Sequence, residues 1–343
     1  MKKLLAGIVL GGSVALIGSS LNAGTIRHDL DHVPYLQLGN QYTSVGSIYI
    51  TVDIFGVQGS QTLASGVLID PHWVLTAAHV VDGYNAEADI IDRVGFVSAQ
   101  DAHSGSPLLE NPTAAFTDIN LMISHPSWPG TSEAGLMSGF DIALMRLEQP
   151  VSNIVPAARY SGTSVLGQVG TYAGYGQRGD GYTGTVISDE LRRAGHNTIE
   201  MVGGTGAFVG FSPNILLADF DNPDDPTASS MGLATALPLE YSIAAGDSGG
   251  GVFIDVGGIP MLVGINSFNG AYGPGDPFPG DNVPNAEYGE FFGATDVRAF
   301  NDWITETMAA NAVPEPGTFA VVAMLIAPLA LRRHRRAPHA AAL

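Results

Sequence analysis

A mostly β fold is what this sequence predicts, and three observations predict it. Gly and Pro supply 65 of the 343 residues, a density of turn formers that suits many short strands better than a helical bundle. Hydrophobic residues make up 45% against 14% charged, enough to bury a substantial core and to exclude a mainly disordered chain. The apolar runs are themselves short and rich in branched side chains, which fit a pleated, half-buried surface.

Taken in chain order, these runs are Ser47-Ile48-Tyr49-Ile50-Thr51-Val52, Ser65-Gly66-Val67-Leu68-Ile69, Ile142-Ala143-Leu144-Met145-Arg146-Leu147, Val169-Gly170-Thr171-Tyr172-Ala173, Gly251-Val252-Phe253-Ile254 and Met261-Leu262-Val263-Gly264-Ile265. One helix is expected near the end. Val297, Phe300, Ile304 and Met308 fall three and then four residues apart, on one helical face, with Asp296 placed to cap it. Two stretches read as long loops, Asp219 to Pro226 and Asn269 to Asn285, the second crowded with Gly and Pro.

The two ends read as addresses. Residues 1–23 carry Lys2 and Lys3, an apolar run from Leu4 to Ile17 and small residues ending at Asn22-Ala23, the pattern of a secretory signal peptide cut after Ala23. In residues 313–336, Val313-Pro314-Glu315-Pro316-Gly317 precedes an apolar stretch, 319–331, and then Arg332-Arg333-His334-Arg335-Arg336. Those 13 residues reach about 20 Å as a helix, short of the roughly 30 Å bilayer core, and Pro328 interrupts them. This order resembles the PEP-CTERM sorting signal of Gram-negative bacteria. The resemblance implies an exosortase-type processing enzyme acting on the tail, transient or permanent membrane contact through 319–331, and an exported protein, extracellular or at the cell surface. A plain C-terminal tail anchor is the other reading of the same hydropathy.

Between these ends, residues 24–312 form the globular part. From 24 to 313, eight arginines face 32 acidic residues, a formal charge of −24. Such a surface repels phosphate backbones and anionic headgroups, so no nucleic-acid partner is expected. The absence of cysteine removes disulfides, thiolate metal sites and cysteine nucleophiles.

Three segments carry chemistry. In Trp73-Val74-Leu75-Thr76-Ala77-Ala78-His79-Val80-Val81 an apolar strand runs into two alanines and a histidine, so the backbone can turn sharply and present an imidazole from a packed base. Gly139-Phe140-Asp141-Ile142-Ala143-Leu144 places an aspartate at the head of a strand. In Ala245-Gly246-Asp247-Ser248-Gly249-Gly250-Gly251, glycines flank a serine, leaving its hydroxyl clear while a substrate backbone comes close. Histidine, aspartate and serine follow one another at 62 and then 107 residues.

With Thr76-Ala77-Ala78-His79, the Asp141 strand, Gly246-Asp247-Ser248-Gly249-Gly250, Gly264-Ile265-Asn266-Ser267-Phe268 and the helix containing Trp303-Ile304, the sequence over residues 44–308 resembles the trypsin and chymotrypsin-like serine peptidases. The resemblance implies two packed antiparallel six-stranded β-barrels with a C-terminal helix and a cleft between the barrels. It implies a catalytic set of His79, Asp141 and Ser248, an oxyanion hole at the backbone N–H groups of Gly246 and Ser248, and substrate binding by Ser242, Ser267, Phe268 and Asn269. Ser242 would floor the primary pocket, and Phe292 or Gly293 would stand near the wall opposite Asn269. Without a carboxylate at 242, small or apolar side chains are expected there rather than basic ones. Protein or peptide substrates and no cofactor are implied. A non-catalytic binding or matrix protein of the envelope, and an esterase with the same acyl chemistry, remain as alternatives.

The sequence departs from the family in two ways. Val80 stands where a cysteine often follows the histidine. Near 24–50 there is no Ile-Val-Gly-Gly segment, whose amino group would pair with Asp247 after cleavage, so Asp247 is left without an evident partner. Asp219, Asp221, Asp224 and Asp225 read as a solvated acidic loop rather than a calcium site, since the spacing lacks the glycine of an EF-hand loop. No metal ligand set is assigned, and His72, His103 and His196 carry no role.

Overall fold

The computed structural model describes residues 24–272 and 283–312, so the leader at 1–23 and the tail at 313–336 lie outside the described residues. The chain divides into two compact units, Met1–Asn301 and Asp302–Leu343. In the first unit the strands β1 (Val45–Ile54), β2 (Val57–Asp70), β3 (Trp73–Thr76), β4 (Ile91–Val97), β5 (Thr117–Ser124) and β6 (Ala143–Leu147) close into an antiparallel barrel, ordered β1-β2-β3-β6-β5-β4. The β1–β2 hairpin turns at Phe55-Gly56, where both residues have positive φ (55° and 83°), the backbone a two-residue turn needs to match strand twist. Val67, Leu75, Phe96 and Leu144 are buried in this half.

Six further strands follow: β7 (Val169–Gly174), β8 (Arg193–Thr198), β9 (Ile215–Asp219), β10 (Gly251–Val256), β11 (Ile259–Gly270) and β12 (Phe291–Asp296), ordered β8-β7-β10-β11-β12-β9. Tyr172, Leu216, Val252, Val263 and Phe292 are buried together at their centre. The second barrel of the expected pair differs from the first: its sheet curls into a half-barrel without a closed ladder. At the seam, β8 ends at Thr198, and Ile199-Glu200 carry the chain across to Met201–Val202, which pairs with β9. The Asn197 amide donates to Asp219 O at 2.6 Å and Glu200 N to Leu217 O at 3.0 Å, so a side chain and a change of partner join the edges.

A smaller four-stranded sheet stands apart. In it the short strand Thr25–Ile26 lies parallel to Arg178–Asp180 and antiparallel to Tyr241–Ser242, both of its residues buried. Helices α1 (His32–Gly39), α2 (Ala78–Ala86) and α3 (Glu133–Met137) decorate the first unit, and none of them was expected from the sequence. The expected closing helix is a 3-10 turn, Val297–Phe300, running into α4 (Asn301–Ala310), and Asp296 caps the turn by accepting from Arg298 N at 3.0 Å. All six strand-like runs fall in strands, save that Ile142 stands one residue ahead of β6. The two expected loops begin inside them, since Asp219 ends β9 and Asn269 lies in β11. Among the described residues, no helix is long and apolar enough to cross a membrane; the stretch 319–331 lies outside them.

Candidate active site

Between the two halves lies a cavity of about 510 Å³, with His79, Asp82 and Leu136 on one side and Ala245, Ser248 and Phe268 on the other. His79 stands at the start of α2. Ala77 and Ala78 before it are fully buried, and larger side chains there would not let strand and helix pack so closely. Asp141 precedes β6 and is itself fully buried. Its Oδ1 accepts from His79 N at 2.9 Å, and its Oδ2 lies 2.7 Å from His79 Nδ1 and accepts from Ser267 Oγ. Thr295 Oγ1, on β12, donates to Asp141 O at 2.9 Å and so ties the aspartate to the second half.

These contacts set the charges. Burial disfavours the imidazolium of His79, but the charge of Asp141, its hydrogen bond and the more distant Asp82 together raise His79 above the ordinary histidine value. Burial likewise opposes the Asp141 carboxylate, which His79 and Ser267 nevertheless hold below its usual range. The pair is therefore fixed with Nδ1 toward the carboxylate and Nε2 left for the cavity. Among the described residues no hydrogen bond runs from Ser248 Oγ to His79, though both line the cavity. Without substrate, such contacts are often long.

The serine loop is shaped by glycine and held from the first half. Gly246 has φ 95°, and a Cβ there would stand 2.9 Å from Gly176 Cα; Gly249 has φ 82°, and a Cβ would meet Thr76 Oγ1 at 2.0 Å. Ser65 on β2 donates from N to Ser248 O at 2.9 Å and from Oγ to Gly246 O at 2.8 Å, while Tyr175 N donates to Ser65 Oγ at 2.9 Å. The N–H groups of Gly246 and Ser248 donate to nothing among the described residues, as an anion-binding pair requires.

Asp247 is fully buried, and burial pushes its carboxyl up to about 6. Gly176 N (2.9 Å), Ala244 N (3.0 Å) and Tyr241 Oη (3.3 Å) donate to it, and the backbone N–H of Gly24 also favours its charged form. The aspartate that the sequence left without a partner thus has one at the head of the described chain. Gly24 has φ 48°, and a Cβ there would lie 1.9 Å from the Tyr241 ring.

The other expected site residues sort by position. Ser267, Phe268 and Asn269 line the cavity. Ser242 is fully buried and absent from the lining, lying behind the Asn269 amide, which donates to Ile243 O at 2.6 Å and reaches Ser242 Oγ at 3.5 Å. Phe292 packs edge-on against Tyr172 in the second core, and Gly293 lies under the Phe268 ring, so neither forms the far wall. Pro284, Asn285 and Ala286 line the cavity instead, and proline and small residues in a loop gave no signal for that role. Asp219 and Asp221 are buried rather than solvated, while Asp224 and Asp225 are exposed. Burial, and the facing Asp219 carboxylate, raise Glu200; burial and the same carboxylate raise Asp221 to about 7. Among the described residues, no three His, Asp or Glu side chains are grouped to hold a metal ion.

Comparison with known proteins agrees with this geometry. The trypsin family profile matches residues 39–304. The chain is 28% identical over 260 residues to a calcium-dependent serine proteinase of Mesocricetus auratus, covering 73% of this chain and 32% of that protein. It is 27% identical to complement C1s subcomponent of Sus scrofa over 275 residues, 73% of this chain and 33% of that one. Chymotrypsin-like elastase family member 1 of Homo sapiens is 31% identical over 116 residues, 34% of this chain and 35% of that one. The chain thus spans about a third of the length of these curated relatives.

Proposed function

Because the chain belongs to the trypsin family and has its mostly β, trypsin-like fold, we propose that it is an exported serine endopeptidase that cleaves proteins through an acyl-enzyme. The observation that carries this is the fixed His79–Asp141 pair facing, across one cavity, a serine flanked by two undonated N–H groups. In the reaction, Ser248 Oγ bonds to the scissile carbonyl carbon while its proton passes to His79 Nε2. The carbonyl oxygen takes the negative charge and is held by the N–H groups of Gly246 and Ser248, an effect worth about 3 kcal/mol per donor. Collapse breaks the C–N bond, and His79 returns the proton to the leaving amine. Water, deprotonated by the same imidazole, then releases the acyl group. Asp141 keeps the imidazole in place and stabilises its charged form.

The Asn269 amide, spanning from β11 to Ile243 O, shortens the pocket above Ser242, which supports cleavage after small side chains. A leader cut after Ala23 would turn the amide N–H of Gly24 into an ammonium beside the buried Asp247 carboxyl. Export and maturation would then be one step. The tail 313–336 supports sorting to the envelope by its resemblance to PEP-CTERM signals.

The test is fluorophosphonate labelling of the purified protein with mapping of the labelled peptide, beside Ser248→Ala checked for folding by circular dichroism. Label on Ser248, lost in the folded variant, is expected. A folded protein that takes no label, with its leader removed, overturns the peptidase reading in favour of a binding protein.

A further inference from the structure

Asp82 follows His79 by three residues on α2, on the same helical face, and lines the same cavity. Its Oδ2 is held twice, by Trp128 Nε1 at 2.9 Å and Thr131 Oγ1 at 2.7 Å. Both donors are neutral, so they aim the carboxylate without cancelling its charge. Its Oδ1 takes no hydrogen bond from the described residues. Its field reaches the reacting centre, since it is one of the charges that raise His79.

Among the described residues no other charge in the cavity offsets it: apart from His79, Asp82 is the one ionisable side chain among the described residues that line it. The domain's eight arginines are engaged elsewhere: Arg27 with Asp29, Arg93 with Asp118, Arg178 and Arg193 with Asp189, Arg298 with Asp296, Arg146 with Asn120, Arg159 with Asn301, and Arg192 with backbone carbonyls between the halves. A peptide laid across the cleft would strip water from an uncompensated carboxylate, which is costly unless the peptide brings a cation. The surplus of 24 negative charges over residues 24 to 313 adds a long-range pull on such a peptide.

We propose that Asp82 selects substrates carrying an arginine or lysine in the subsite walled by α2, Thr131 and Leu136, beside the small-residue pocket at Asn269. This deepens the peptidase reading and rests on the same cleft. The enzyme then recognises a pair of features, a small side chain at the pocket and a basic one over α2.

The test separates the subsite from the chemistry by measuring binding to Ser248→Ala. Fluorescent alanine-rich hexapeptides carry one arginine walked through every position, each with a twin in which citrulline, isosteric but neutral, replaces it. One position is expected to bind the arginine peptide about 3- to 10-fold more tightly than its twin, the range of a partly exposed ion pair. That advantage should vanish in Ser248→Ala/Asp82→Asn, whose amide oxygen can still accept from Trp128 and Thr131, and should shrink as salt is raised. Equal binding of twins at every position, or a preference that survives Asp82→Asn, overturns the proposal. Label on Ser248 without an arginine preference removes this inference alone. An arginine preference in a protein that takes no label upholds the subsite and removes the peptidase reading.

Discussion

Ser65 shows what a single residue does here. It bonds Gly246 O and Ser248 O at once, fixing the peptide units on either side of the Asp247–Ser248 amide. Ser65→Ala leaves the buried Tyr175 N–H without its acceptor and frees Gly246 O. The expected result is a loss of about 1–3 kcal/mol of stability in denaturant titrations. A roughly tenfold fall in kcat with KM nearly unchanged should accompany it, since the loop meets the transition state more than the ground state. Asn269→Gly should act on KM and selectivity instead. Removing the amide bridge to Ile243 O opens the pocket, and kcat/KM for leucine or phenylalanine at the cut relative to alanine should rise about tenfold in peptide assays. The candidates His79, Asp141 and Ser248 were legible because alanines precede the first, a strand follows the second and glycines flank the third, in a recognisable order. Ser65 and Asp82 were not, because serine and aspartate are ordinary in a strand and on a helix, and what gives them meaning lies 181 and 46 residues away in the chain.

Among the elements, the two-residue strand Thr25–Ile26 has the most consequence for its size. It delivers Gly24 N to Asp247 through a slot in which even a methyl group on Gly24 would strike Tyr241. A protein that starts one residue earlier moves its amino group by about 3.5 Å, out of reach of the carboxyl. Such an extended form should lose about 100-fold in kcat/KM relative to one starting at Gly24, as judged by active-site titration and peptide turnover. The sequence left Asp247 without an evident partner, because Gly24-Thr25-Ile26 shares no residue pattern with the Ile-Val-Gly-Gly segment of the family. The curled second sheet was hidden for a similar reason. Strand-like runs mark which residues extend, whereas closure depends on Ile199-Glu200 carrying one run of chain from β8 to β9.

At the scale of the whole molecule, the buried acids govern the response to pH. Burial raises Glu290 to about 8 and Asp221 to about 7, and Glu240 well above its ordinary 4.5. Each folded value lies above the unfolded one, so the folded protein holds protons that the unfolded chain has released. Their contribution is complete below about pH 4 and is lost as pH rises through 7 and 8. Asp141 runs the other way, and its share is lost only as pH falls below 3.8. Calorimetry should find a melting temperature several degrees higher at pH 5 than at pH 8.5, and Glu290→Gln with Asp221→Asn should flatten that slope. The acidic composition was plain in the sequence, but which carboxyls fold inward was not. The Thr25–Ile26 strand has a further consequence in time. Its neighbours, Arg178–Asp180 and Tyr241–Ser242, lie more than 150 and 210 residues downstream, so the first segment of the domain to be synthesised is the last that can dock. Until the rest has folded there is no slot to receive it, and the serine loop must wait for the oldest piece of the chain to seat.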